Sequence, residues 1–307
     1  MKYKKNFEAK IGEFYEIAHY DKVINESSVG YKEDGSLLFC LIKGNVPEDQ
    51  RLEFKNIIRS VSRTKTKNRG SSAGFCNPDK MMKEAETICN IRGEEYTDGK
   101  GRFSVYYKDK DGVMSKRCQS NLARSGVAGY FDEVAGLPCR KVGWSFNNPK
   151  KHETLGALAN IIEEAHKLNC PESYEYHLER ASKIHPDLKF RDTIYSTMTL
   201  NYDFRTATHI DKGDLKKGLS TLTIFEDIPN NYTGFYLGLP EYKTAFDVRD
   251  GDTLIFDAHE KHSNTEFEVL SDALPHNDLT ENNYAGRMSV VCYCREKLDN
   301  CKKTELR

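Results

Sequence analysis

From residue 191 onward the apolar positions fall into short runs that alternate along the chain and are broken by Gly, Asp and Asn. The runs are 192–204, 218–226, 234–239, 244–248, 252–258, 263–269 and 286–294. A period of two sends successive side chains to opposite faces of an extended strand. Runs of this length and spacing predict an antiparallel sandwich or jelly roll. Before 191 the period lengthens. Residues 48–60 space their apolar positions as a helix does, behind an acidic first turn, and 153–168 and 172–184 read as two amphipathic helices, the second stopped by Pro186. Residues 102–108 read as a strand and Asp111-Gly112 as a turn, while NRGSSAGF at 68–75 is a loop and RSGVAGYFD at 124–132 a second glycine-rich stretch. No linker divides the chain. The expected fold is α+β: a double-stranded β-helix (jelly roll) core with flanking helices over 151–307, and an N-terminal extension over 1–150 packed on it as one compact unit.

Composition narrows the class. The 307 residues suffice for a sizeable core, and 38% hydrophobic with 30% charged residues fits a soluble globular protein. No apolar run approaches the roughly 18 residues of a membrane span, and the first residues lack the apolar core of a secretory signal. Nine cysteines, an odd count without a CxxC pair, point to reduced thiols and an intracellular setting. The net charge of −1 announces no nucleic-acid binder. A local patch does exist: Arg63, Lys65, Lys67 and Arg69 lie within seven residues. On charge alone, a solvated loop is the commoner meaning of such a run.

The candidate chemistry sits between the first two β-runs, in Thr208-His209-Ile210-Asp211. A histidine and a carboxylate one residue apart point the same way from an extended chain, so both can bind one side of an ion. A second histidine completes a two-histidine, one-carboxylate face. It leaves three adjacent positions open, which suits Fe(II) that must take a cosubstrate and dioxygen together. His259 and His262 compete for this place; His262 stands directly before the next β-run and is preferred. Arg287 opens the last run, and arginine grips a carboxylate as a two-toothed fork. Ser289 follows one strand period later and Asn201 lies on the first run. HxD alone is common on surface turns and a lone arginine is usually solvated. The order HxD, Gly-Asp-strand-His, then Arg on a last strand is what favours an iron oxygenase over another cupin-like metal protein or an unrelated β-domain.

The blocks KNRGSSAGF, ARSGVAGYFDEVAGLPCRKVGWSFNNP, THIDKGDLKKGLSTLTIF and NNYTGFYLGLPEYKTAFDVRDGDTLIFDAHEKHSNTEF together resemble the TET and base-J-binding-protein superfamily of Fe(II)/2-oxoglutarate dioxygenases over roughly residues 60–295. The likeness is strongest to the branch of phages, large viruses and algae, which includes an algal 5-methylcytosine-modifying enzyme. The resemblance implies oxidation of the methyl group of a modified pyrimidine in DNA, 5-methylcytosine ahead of thymine. By it His209, Asp211 and His262 match the iron ligands, Arg287 the 2-oxoglutarate arginine, and Asp214 an acidic position near cosubstrate and base. The algal enzyme uses ascorbate, so both cosubstrates stand open, with 2-oxoglutarate the default. Where relatives read His-Gly-Asn this chain reads His262-Ser263-Asn264.

A methyl group inside a duplex cannot reach a buried iron, so the base must be flipped or already single-stranded. Phe204, Trp144 and Phe146 are candidate stacking groups, against a plain core role for Trp144. Asp214 has the alternative of capping the turn at Gly213. Given the resemblance, Arg63, Lys65, Lys67 and Arg69, with Arg124-Ser125-Gly126, are expected to hold phosphates through side chains and glycine-freed N–H groups. No membrane partner is expected, and the residues name no protein partner. The competing classes are a protein or small-molecule hydroxylase using the same triad, and a binding module that has lost catalysis.

Overall fold

The computed structural model describes residues 1–75, 103–108, 114–119, 121–133, 137–270 and 285–301; the expected Asp111-Gly112 turn lies outside them. Before the long helices the strands are β1 (Lys2–Tyr3), β2 (Lys22–Ile24), β3 (Ser28–Lys32), β4 (Leu37–Ile42), β5 (Lys65–Thr66), β6 (Phe103–Lys108), β7 (Met114–Gln119), β8 (Ala123–Phe131) and β9 (Arg140–Lys141). After them come β10 (Thr197–Tyr202), β11 (Ser220–Glu226), β12 (Tyr232–Gly234), β13 (Leu237–Leu239), β14 (Thr244–Phe246), β15 (Thr253–Phe256), β16 (Ser263–Asn264), β17 (Phe267–Val269) and β18 (Arg287–Tyr293). Among the described residues the helices are Glu48–Ser62, Gly143–Asn147, Pro149–Asn169 and Pro171–Ala181. Prolines begin the last two, where a missing N–H costs nothing.

One large sheet runs β1-β3-β4-β15-β11-β18-β10-β8-β5, with β9 beside β8, and faces a smaller sheet, β16-β13-β14-β2. Strand alternation gives the large sheet two different faces. Met198, Leu200 and Tyr202 of β10 and Met288, Val290 and Cys292 of β18 pack on Phe54, Ile57 and Ile58 of the first helix and Leu155, Leu158 and Ile162 of the third. On the other face Leu222 and Ile224 of β11, Leu254 and Phe256 of β15, and Phe39 of β4 meet Leu237, Leu239 and Phe246 of the small sheet. Each such side chain contributes about 1.5–3 kcal/mol when fully buried, so both layers are needed to hold the sheet between them. This is the expected jelly roll with flanking helices.

Several described strands of the first 150 residues, however, are built into that sheet. β4 pairs with β15, and β8 pairs along five residues of β10. Arg124-Ser125-Gly126, expected to free backbone N–H groups for phosphate, lies in β8, a strand bonded to β10 and β5. Its glycines answer to packing: a Cβ at Gly126 would lie 2.4 Å from the Val61 carbonyl oxygen on the first helix. Gly129, at φ +99, presses on the Ser196 carbonyl in a conformation costly for other residues.

The cysteines also differ from expectation. Cys139 and Cys301 are disulfide-bonded across 162 residues of sequence, a pairing no local spacing announces. Cys40, Cys170, Cys292 and Cys294 are free and buried.

Three histidines are buried in the helical layer. His166 bonds the Tyr195 hydroxyl at 3.0 Å and the Ser173 hydroxyl at 3.1 Å, and His177 Nε2 accepts the Leu219 N–H at 2.9 Å. Burial pulls the pKa of His166 down to about 3 and of His177 to about 4; burial, with Lys141 nearby, takes His152 to about 4. An unfolded histidine titrates near 6.5. The folded values are lower, so their contribution to stability is complete above pH 6.5 and is lost as pH falls from there toward 4. At pH 5 the unfolded chain holds about three more protons at these sites, a slope of up to about 4 kcal/mol per pH unit. The urea midpoint is therefore expected to fall steadily from pH 7 to pH 5; a flat midpoint over that interval contradicts these buried neutral histidines.

Candidate active site

β10 ends at Tyr202 and β11 begins at Ser220; the loop between them carries the HxD segment. That loop is stitched to the segment after β15 by a two-way bridge: His209 N–H donates to the His262 carbonyl at 3.0 Å, and His262 N–H donates to the His209 carbonyl at 3.1 Å. Asp211 N–H adds a bond to the Ala258 carbonyl at 3.0 Å. The two imidazoles thus come together from positions 53 apart, with ring centroids 4.2 Å from each other.

Each ring is oriented by its other nitrogen. His209 Nδ1 lies 2.8 Å from the Ala207 carbonyl and His262 Nδ1 lies 2.9 Å from the Glu260 carbonyl. A carbonyl only accepts, so both Nδ1 atoms carry the proton and both Nε2 atoms present lone pairs. These Nε2 atoms stand 3.7 Å from the two oxygens of Asp211, His209 facing Oδ1 and His262 facing Oδ2. The three ligand atoms lie within 4.8 Å of one another, the one such group among the described residues. Burial and the neighbouring His262 take the His209 pKa down to about 4, favouring the neutral form a metal needs. His259 stands outside the group, its Nδ1 3.4 Å from Asp257 Oδ1.

The triad opens on a cavity of about 250 Å³. Its wall repeats the strand period: Thr199 and Asn201 on β10, and Arg287, Ser289 and Tyr293 on β18. Asn201 stands opposite Ser289 and Ser125 in the two ladders; it donates to the Ser289 hydroxyl at 3.0 Å and accepts from that of Ser125. Arg287 is buried with its guanidinium carbon 4.6 Å from the centre of the Phe235 ring. Its Nε has no hydrogen-bond partner among the described residues. Glu226, opposite it on β11, is engaged by the Tyr232 hydroxyl at 2.7 Å and by Asn230 N–H at 3.2 Å. Burial depresses the Arg287 pKa. Glu226 and Asp203 lie near enough to act on its charge, and the unpaired Nε leaves a donor for an anionic ligand in the cavity. The residues present fit an iron ion beside a dicarboxylate: a neutral-histidine and carboxylate face, then a guanidinium deeper in.

Asp214 is buried on the same wall and accepts the Ser220 hydroxyl. Burial, then the charge of Asp211, pushes its carboxyl well above the usual range against the pull of Ser220 and Arg295. Segment 213–215 is tied to 294–296 by Leu215 N–H to the Cys294 carbonyl at 3.2 Å and Glu296 N–H to the Gly213 carbonyl at 3.3 Å. Phe204 also lines the cavity.

The expected phosphate loop divides. Arg69 turns into the cavity toward Asp211, and burial lowers its pKa. Gly70–Ala73 forms a tight helical turn, with Ser72 N–H on the Arg69 carbonyl at 3.2 Å and Gly74 N–H on the Ser71 carbonyl at 2.9 Å. Arg63 and Lys65 are exposed, Lys67 and Arg124 half-buried, and Lys65 stands directly opposite Arg124 between β5 and β8. Trp144 packs against the helical core and Phe146 is exposed; neither lines the cavity, which corrects the stacking role expected of them. Tyr293 and Arg295 were missed, although counting by twos from Arg287 along β18 and its exit leads to both. Ser263, at the departure from His-Gly-Asn, is buried with its hydroxyl 3.4 Å from that of Tyr20.

Comparison with known proteins places this geometry. Residues 126–296 match the Tet_JBP family model, described as the oxygenase domain of the 2OGFeDO superfamily. The bifunctional helicase and thymine dioxygenase JBP2 of Trypanosoma brucei brucei is 34% identical over 198 residues, 61% of this chain and 17% of that protein. Thymine dioxygenase JBP1 of Crithidia fasciculata is 33% identical over 149 residues, 47% of this chain and 18% of that protein. The chain thus spans under a fifth of either relative's length. A solved complex of NgTET1 with 5mC DNA shares the fold, with a TM-score of 0.50 at 13% identity, covering 92% of this chain and 82% of that one. With the matched region containing the His-Asp-His group and Arg287, the chain belongs to the Tet_JBP family of oxygenase domains, whose superfamily implies Fe(II) and 2-oxoglutarate.

Proposed function

We propose that the protein is an Fe(II)- and 2-oxoglutarate-dependent dioxygenase that oxidises the 5-methyl group of a pyrimidine in DNA. The observation that carries this reading is one cavity holding both a His-Asp-His face and a buried arginine whose Nε has no hydrogen-bond partner among the described residues. Thymine stands ahead of 5-methylcytosine because the sequence relatives are thymine dioxygenases. 2-Oxoglutarate stands ahead of ascorbate because Arg287 suits a second, distal carboxylate.

His209, Asp211 and His262 would hold the metal. Bound there with a 2-oxo acid, Fe(II) supplies the activation of dioxygen and the oxidation of an unactivated C–H bond. The chain's own residues do the positioning. Arg287, seated on Phe235, fixes the far carboxylate and so the direction of the cosubstrate. Asn201 and Ser289 tie the neighbouring strands and present polar atoms beside it. Asp214, Tyr293 and Phe204 line the space left for a flipped base, a carboxyl for its polar edge and rings for its faces. Arg63, Lys65, Lys67 and Arg124 would follow the phosphate backbone outside. With DNA as its substrate the protein would act inside a cell.

The test is turnover. The protein is incubated with Fe(II), 2-oxoglutarate and DNA carrying thymine or 5-methylcytosine, and the nucleosides are analysed by mass. Succinate together with a nucleoside heavier by one oxygen is expected. Succinate formed only with a protein or metabolite substrate overturns the DNA reading, and turnover that needs ascorbate but no 2-oxoglutarate overturns the cosubstrate.

Two substitutions separate the histidines. His262→Ala is expected to abolish Fe(II) binding measured by equilibrium dialysis, whereas His259→Ala retains it; the reverse result would assign the third ligand to His259.

For the outer cations, the double variant Lys65→Ala, Lys67→Ala is expected to weaken DNA binding. It should also flatten the slope of log K against log salt by about 2, near 0.9 per lost phosphate contact. An unchanged slope removes these lysines from the DNA path.

A further inference from the structure

The carbonyl that orients His262 belongs to Glu260, and the side chain of Glu260 is gripped from outside the turn. Lys5 Nζ lies 2.5 Å from Glu260 Oε2 and Lys32 Nζ lies 3.0 Å from Oε1. Lys32 also reaches Asp257, at 2.6 Å, so it spans the turn that delivers the third histidine. Asp257 in turn accepts the His259 N–H at 3.0 Å. The network continues on the far side: Lys5 meets Glu241 at 2.9 Å, and Lys261 meets Glu241 at 2.8 Å and the Ala9 carbonyl at 2.7 Å. Three lysines thus neutralise three carboxylates around residues 257–262.

Most of these partners come from the beginning of the chain. β1 runs parallel to β3, pairing Lys2 with Tyr31, and Lys32 is the last residue of β3. Asn6 N–H donates to the Glu241 carbonyl at 3.0 Å, seating the segment that carries Lys5.

We propose that this N-terminal strap, acting through Lys32 and Lys5 on Glu260, is a positioning device for His262 and sets the affinity of the metal site. This rests on the reading of His209, Asp211 and His262 as metal ligands. The physical argument is one of preorganisation. An imidazole binds well when its second nitrogen donates to a fixed acceptor. The acceptor is a turn carbonyl, and a turn swings unless something holds it. Ion pairs to both ends of the turn, at Asp257 and Glu260, remove that freedom. Lys32, 21% exposed, does more than Lys5, which is 49% exposed and more screened.

The experiment uses the full chain and Co(II) alone as the probe, with Kd and coordination read from its ligand-field absorption. Wild type is expected to bind Co(II), and His262→Ala to lose it. Lys32→Met and Glu260→Gln should each weaken binding by up to about 10-fold, the low end of what loss of an outer-shell partner costs because the Glu260 carbonyl itself remains, and alter the band shape. Lys32→Arg should restore both, and Lys5→Met should show a smaller effect in the same direction. Loss of general stability would not move Kd well below the melting temperature, nor be repaired by arginine alone. If Glu260→Gln fails to fold, Lys32→Met decides. Wild-type Kd and spectrum in folded Lys32→Met overturn the strap while leaving the triad standing. Co(II) binding unchanged by His262→Ala overturns both.

Discussion

Two reciprocal backbone hydrogen bonds, between residues 209 and 262, are the constraint on which the rest of the site depends. They join a loop leaving one sheet to a segment entering the other. Side-chain attraction would not do this, because two neutral imidazoles and a carboxylate gain little from proximity. The backbone brings them together, and each ring is then turned by a main-chain carbonyl within two residues of it. The metal face is therefore a property of the ladder at the mouth of the jelly roll. Its electrostatic fitness, with neutral rings around one carboxylate, follows from burial.

The cavity owes its contents to the two faces of the large sheet. On β18 the odd positions Arg287, Ser289 and Tyr293 turn inward while Met288, Val290 and Cys292 bind the helices. A shift of one residue would exchange a cationic, hydroxylated wall for a hydrophobic one. The pairing with both β10 and β11 makes that shift expensive, since it would break two ladders at once. Conversely, the buried guanidinium of Arg287 is tolerated because Phe235 and the surrounding charges soften its desolvation. Stability is thereby given up locally to keep a cation ready.

How much of this was legible in the sequence depends on the distance over which each feature is determined. His209, Asp211 and Arg287 sit on local periods of two, so their directions could be read. The choice of His262 over His259 was only preferred, because it depends on how a turn packs. The glycine-rich stretch at 124–132 suggests freed N–H groups at Gly126, yet Gly126 and Gly129 answer to a helix and a neighbouring carbonyl that lie far along the chain. Arg69 was assigned to a phosphate loop for the same reason: its charge is local information, but its entry into the cavity is tertiary. The bond between Cys139 and Cys301 lies beyond any spacing argument, and Trp144 took the ordinary role of filling a helical core.

The position of β18 has a kinetic side. It comes last among the described strands, yet lies between β11 and β10 in the middle of the large sheet. Until it is inserted, β10 with β8 and β11 with β15 are two half-sheets, each with an unsatisfied inner edge. Such an edge invites wrong pairing. Closing the sheet requires contacts spread across the length of the chain, which slows folding. The same event brings Arg287 and Ser289 to the cavity wall. Completion of the fold and completion of the pocket are then one step, so a half-folded chain lacks the cavity's cationic wall.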